Sequence, residues 1–211
     1  MSFGATVSFS LREGGLHAVE TSRIRSFQMQ FRESNLKGLW LITLEPRLDE
    51  RGFFVRTYCD EEFAAHGLNT RWPQSNHTLT RDKGAIRGLH FQAEPYPEIK
   101  TVRCIRGAIY DVAVDVRSNS PTFGRWEGFE LTASNNRILY IAAGFAHGFQ
   151  TLEPDSEVLY QMSESYRPEL SRGVRYDDPP IGIRWPLAMT VISERDRGLP
   201  RLADLKQGAV Q

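Results

Sequence analysis

The chain has 211 residues, and its 26 Lys plus Arg balance 26 Asp plus Glu, so the formal net charge is zero. A balanced chain offers no general field to DNA, RNA or an acidic bilayer, which leaves charge to act locally where side chains converge. No apolar run approaches a membrane span, and the first thirty residues lack the apolar core of a secretory signal. Cys59 and Cys104 form neither a C-x-x-C pair nor a disulfide framework, so the expected compartment is the cytoplasm.

In chain order, Phe3, Ala5, Val7, Phe9 and Leu11 alternate with small polar residues, which predicts an extra strand in an N-terminal extension over 1–28. The remainder, 29–211, is long enough for one full-sized core and is expected to form one domain. Residues 38–44, stopped by Pro46, predict a buried strand. Asp49-Glu-Arg-Gly52 predicts a turn into a β-rich hexamer over 53–58. Asp60 is placed to cap a short helix over 61–66, which Gly67 ends.

From Trp72 onward strands and turns follow at the spacing of a sandwich or barrel. Gly107 splits strands at 100–106 and 108–117. In the second, Tyr110, Val112, Val114 and Val116 alternate with Asp111, Ala113 and Asp115, so two carboxylates share the face opposite the valines. Turns at 118–124 and 134–136 bracket a strand over 125–133, another follows at 137–141, and the series predicts an antiparallel meander. His147 then stands between glycines in 144–149. Over 157–163, Val158, Tyr160 and Met162 share a face, making Tyr160 a phenol among apolar neighbours. The stretch 177–186 reads as loop, with a short helix after Ser193.

The segment Arg87-Gly-Leu-His-Phe-Gln92 carries the most chemistry. As a strand it turns Leu89 and Phe91 one way and Gly88, His90 and Gln92 the other, with glycine leaving space beside an imidazole. Taken alone, His90 reads either as a core histidine bonded to a carbonyl or as a proton acceptor lining a cavity. Tyr160 reads either as a structural hydrogen bond or as an acid. Two antiparallel sheets with polar groups on the inner face make an all-β, cupin-like jelly-roll β-sandwich with a few short helices, whose mouth takes a ligand. Metal-binding cupins present His-x-His with a carboxylate. Here Gln92 holds the second position and only His147 adds an imidazole, so no metal is expected.

Together, Asp49-Glu-Arg-Gly-Phe-Phe54, Gln74-Ser-Asn76, Arg87-Gly-Leu-His-Phe-Gln92, Lys100, Asp111-Val-Ala-Val-Asp115, Ser120-Pro-Thr-Phe-Gly124, Gly144-Phe-Ala-His-Gly-Phe149 and Val158-Leu-Tyr160 resemble the dTDP-4-dehydrorhamnose 3,5-epimerase family. The resemblance runs in order from about Met29 to Leu202. It implies a cofactor-free, metal-independent homodimer that epimerises a dTDP- or CDP-linked 4-keto-6-deoxyhexose, with neither nucleic acid nor membrane as partner. It makes His90 the base, Asp196 its orienting carboxylate, Lys100 the cation at the C4 carbonyl and Tyr160 the proton donor. His147 would line the sugar pocket, and Arg51 and Arg87 would hold the diphosphate. Gln74, Ser75 and Asn76 would bind the nucleotide, on whose base Tyr166 would stack.

The chain departs from that pattern on the nucleotide side. Arg56 and Ser171 stand where acidic residues are usual, Ser75 replaces an Asp and Arg195 replaces a Lys. An arginine facing the base would favour the N3 acceptor of cytosine over the N3-H of thymine. The competing readings are a non-catalytic sugar-nucleotide-binding cupin, a related ketoisomerase and a metal-dependent cupin oxygenase. The intact set of His90, Lys100, Tyr160 and Asp196 argues against the first, and the missing His-x-His against the last.

Overall fold

The computed structural model describes residues 28–208, and the strand expected from Phe3 to Leu11 lies outside them. In chain order the described residues begin with β1 (Gln30–Glu33), β2 (Leu39–Thr43), β3 (Arg47–Asp49), β4 (Gly52–Phe54), helix α1 (Asp60–Ala65) and β5 (Gln74–Thr80). Next come β6 (Ile86–Gln92), β7 (Lys100–Arg106), β8 (Ala108–Asp115), β9 (Trp126–Thr132) and β10 (Arg137–Ile141). Then follow β11 (Phe145–Thr151), β12 (Ser156–Met162), β13 (Ser171–Gly173), α2 (Glu194–Arg197) and α3 (Leu202–Gly208).

Two antiparallel sheets carry the fold. One has the order β1-β2-β10-β7-β12-β5 and the other β13-β6-β11-β8-β9, while among the described residues β3 and β4 pair only with each other. From β5 to β12 the chain switches sheet at every step except the β8-β9 hairpin, which is the winding of a jelly roll. The expected meander is therefore corrected. Alternation marks which residues share a face, but not which sheet a strand joins.

Between the sheets Leu39, Leu41, Val102, Ile109, Leu139 and Phe149 pack into an apolar cluster. Each sheet is also covered on its outer face. Helix α1 sets Phe63 against Ile42, Ile138 and Tyr140 outside the six-stranded sheet. The C-terminal segment sets Val174, Ile181 and Leu202 against Leu89, Val112 and Val114 outside the other. This is why β8 is buried along almost its whole length: its valines lie under the C-terminal segment while Asp111 and Asp115 turn inward.

Local chemistry shifts two other expectations. Cys59, in extended conformation, is the N-cap of α1, and Asp60 is instead the first helical residue, its carboxylate accepting the Glu61 N–H at 2.9 Å. Gly67, at φ +68°, ends the helix as expected. In the β-rich hexamer the strand stops at Phe54, because the segment then dives to pack Val55 and Tyr58 around Phe63. The turn after β8 is built on Asp115, whose carboxylate accepts three N–H bonds from Arg117 at 2.7–3.0 Å and hydroxyls from Ser120 (2.5 Å) and Thr122 (2.6 Å).

Burial pushes the Asp115 carboxyl up, but the donors from Arg117, Ser120 and Thr122 together more than offset it and bring its pKa down to about 2. A carboxylate depressed in the fold stabilises above its unfolded pKa and loses that stabilisation as pH falls through the folded value. Asp115→Asn is expected to cost on the order of 2 kcal/mol at neutral pH, with the gap to wild type closing between roughly pH 4 and 2. Urea unfolding at stepped pH reads this directly, and a gap that stays constant with pH would contradict it.

Candidate active site

Bordering the apolar cluster, with Phe149 and Tyr160 at the boundary, the two sheets part around a cavity of about 460 Å³ that adjoins a second of about 320 Å³. His90, Lys100, Tyr160 and Arg195 line both, so the two halves form one continuous site. Its side chains come from the inward-facing positions of β5, β6, β7, β11 and β12, with α2 closing one side.

On β6, Leu89 and Phe91 pack outward under the C-terminal segment, which turns His90 inward. Its Nε2 lies 2.7 Å from Asp196 Oδ1. The other carboxylate oxygen accepts the Gly88 N–H at 3.0 Å, and the Asp196 N–H is capped by Ser193 Oγ at 3.1 Å. Burial raises the Asp196 pKa, yet the bonds from His90 and Gly88 outweigh it and hold the carboxyl below its ordinary value. An ionised Asp196 requires Nε2 to donate, which leaves the lone pair of the neutral ring on Nδ1. The resulting dyad can take a proton on Nδ1, and the ionised Asp196 would stabilise the imidazolium so formed.

Directly across the β6-β11 ladder, His147 is the register partner of His90. The strands approach so closely there that a Cβ on Gly88 would sit 2.6 Å from Gly148 Cα, and one on Gly148 would sit 2.6 Å from the Arg87 carbonyl. Gly88 also has φ +124°, so both glycines are required by geometry. His147 Nε2 lies 2.6 Å from the fully buried Asp111, making a second His–Asp pair on the cavity wall. The β8 alternation already faced Asp111 inward, but its partner on β11 is set by strand pairing that no local pattern reveals.

Lys100 and Tyr160 enter from the facing sheet, on β7 and β12. The Lys100 ammonium meets Glu98 at 2.7 Å. Tyr160 packs against the apolar core while lining the cavity, and burial holds its phenol above its ordinary pKa, partly relieved by Arg87 and reinforced by Glu98. Arg87 lines the outer part of the cavity, donating to Thr80 Oγ1 (2.8 Å) and the Leu79 carbonyl (3.2 Å). Gln74 and Asn76 line the second half, and Gln74 accepts the backbone N–H of Tyr166, whose half-exposed ring stands at the rim.

Three expected participants stand elsewhere. Ser75 alternates to the outer face of β5, its hydroxyl on the Tyr160 carbonyl at 3.5 Å. Arg51 lies on the exposed β3-β4 hairpin, paired with Asp49 at 2.6 Å and absent from the cavity wall. Arg56 meets Glu62 of α1 at 2.9 Å, and it too is not on the cavity wall. Conversely, Arg195 stands where the two halves meet and donates to Ser171 at 2.7 Å. Among the described residues no group of three or more His, Cys, Asp or Glu side chains is arranged to hold a metal ion.

The family model described as dTDP-4-dehydrorhamnose 3,5-epimerase matches residues 33–204. A dTDP-4-dehydrorhamnose 3,5-epimerase of Sinorhizobium fredii is 42% identical over 179 residues, covering 84% of this chain and 92% of that protein. A solved structure of the enzyme of that name from Bacillus anthracis, with TDP and PPi bound, is 39% identical with a TM-score of 0.80, covering 82% of this chain and 99% of its own. A Legionella pneumophila dTDP-6-deoxy-D-glucose-3,5-epimerase, solved with dTDP-4-keto-L-rhamnose, is 33% identical with a TM-score of 0.82, covering 87% and 97%.

Proposed function

The chain belongs to the dTDP-4-dehydrorhamnose 3,5-epimerase family, and on that premise we propose that its cavity inverts carbon centres beside the C4 ketone of a dTDP-linked 4-keto-6-deoxyhexose, in deoxysugar biosynthesis. The protein is an isomerase. The observation that carries the mechanism is the placement of His90 and Tyr160 on facing sheets, with Lys100 on the strand next to that of Tyr160 and on the same cavity wall. A sugar ring lying between the sheets then has a base on one face and an acid on the other.

Nδ1 of His90 takes the C–H proton next to the ketone, and Asp196 holds the imidazolium that forms. Negative charge passes to the C4 oxygen, where the Lys100 ammonium donates to it as it develops. The enolate is flat. Return of the proton by His90 would restore the original centre, so inversion needs Tyr160 to protonate the other face. Its raised pKa keeps the phenol protonated until that moment. His147, fixed by Asp111, borders the sugar, and Arg87 borders the diphosphate. With Arg56 on Glu62 and off the cavity wall, the specific ground for preferring cytosine falls away.

The protein acts as a homodimer in this reading. Among the described residues β3 and β4 form strand pairs only with each other, and their hairpin exposes Leu48, Phe53 and Phe54 by 83%, 61% and 63%. Among the described residues β5 is the last strand of the six-stranded sheet, beside the cavity. A hairpin of a second copy seated there covers its apolar side chains and brings that copy's Arg51 to the diphosphate.

In D2O, His90→Ala is expected to lose both hydrogen exchange and epimerisation. Tyr160→Phe should keep some exchange with retention while losing inversion by on the order of 10² to 10⁴. NMR of the sugar ring protons separates the two, and near-normal turnover by His90→Ala would refute the assignment of the base. The shared site has its own check. Co-expressed Arg51→Ala and His90→Ala chains should together regain activity that neither shows at low substrate, because each mixed dimer keeps one intact site. No gain from mixing would place Arg51 outside the partner's site.

A further inference from the structure

Glu98 enters the steps above only by helping to hold the Tyr160 phenol above its ordinary pKa, yet it also makes the shortest polar contact of the Lys100 ammonium. An ammonium carries three N–H donors. Lys100 directs one to Glu98 Oε1 at 2.7 Å and another toward the His90 carbonyl at 3.5 Å, which leaves one for the substrate. Ile99 packs outward into the cluster around Phe63, so the residues on either side of it turn inward together. Both charged side chains are withdrawn from water, with 12% and 9% of their surface exposed.

We propose that Glu98 is a positioning residue for the epimerisation, occupying one Lys100 N–H so that the remaining donor is aimed at the ketone oxygen. The proposal rests on the reading of Lys100 as the group that meets the developing oxyanion. A lysine head on a flexible four-carbon stem has other acceptors within the same cavity, the Asp196 carboxylate among them. Drawn to Asp196, it would leave the oxyanion unattended and compete with His90 for its partner. The function of Glu98 is thus to supply an acceptor in a fixed place, and the amide oxygen of a glutamine at this position would supply one too.

The test compares Glu98→Leu, which removes the acceptor, with Glu98→Gln, which keeps it. Glu98→Leu is expected to lower kcat roughly 10- to 100-fold with KM changed no more than about twofold, because the aimed donor acts as charge develops. Glu98→Gln is expected to recover most of that loss. Thermal unfolding of each variant is measured alongside, with Glu98→Ala replacing the leucine variant if the latter does not fold. A truncation variant with kcat within about twofold of wild type, a loss confined to KM, or a Gln variant as slow as the truncation would each overturn the proposal. A wild-type chain that exchanges no substrate hydrogen would overturn the epimerase reading itself, and the role of Glu98 with it.

Discussion

The site depends on the contact between His90 and Asp196, two residues 106 positions apart. Asp196 reaches the cavity only because the C-terminal segment is laced to β6. Val174 exchanges backbone bonds with Leu89 at 3.0 and 3.2 Å, and Ile86 donates to the Val191 carbonyl at 2.8 Å. Ser193 then caps α2 and presents the carboxylate to both His90 and the Gly88 N–H. One ionised group thereby selects the histidine tautomer, orients the ring and anchors the chain that covers the outer sheet face.

A sandwich suits this chemistry for a simple reason. Inversion needs an acid and a base on opposite faces of one flat intermediate, and two facing sheets supply two opposed walls. The apolar cluster of Leu39, Val102, Leu139 and their neighbours fills part of the interior, and the polar groups gather around the cavity that borders it. Each buried charge there has a partner of opposite sign or a hydrogen bond, as burial demands. His90 meets Asp196, His147 meets Asp111 and Lys100 meets Glu98.

Much of this is legible in the sequence where a local period decides it. Alternation in β6, β8 and β12 is enough to turn His90, Asp111 and Tyr160 inward. What escapes is whatever depends on partners distant in the chain. The jelly roll is as expected, but the strands over 100–141, read as a meander, divide between its two sheets, and strand pairing alone joins Asp111 to His147. The same limit applies to side-chain destinations: Arg51 ends on an exposed hairpin, Arg56 goes to Glu62 and Ser75 faces away from the cavity. The cap of α1 fell one residue early, on Cys59, because Asp60 serves the Glu61 N–H from within the first turn.

The proposed mechanism turns on two separate proton carriers, one on each sheet. The most direct measurement is the deuterium content of the product formed by the wild-type protein from unlabelled dTDP-linked 4-keto-6-deoxyhexose in D2O, read by mass spectrometry at early turnover. A base on one face and an exchangeable phenol on the other predict one solvent deuterium at every inverted carbon. Product that retains the substrate's own hydrogen at an inverted centre would mean that a single carrier moves it across, and would contradict the roles assigned to His90 and Tyr160.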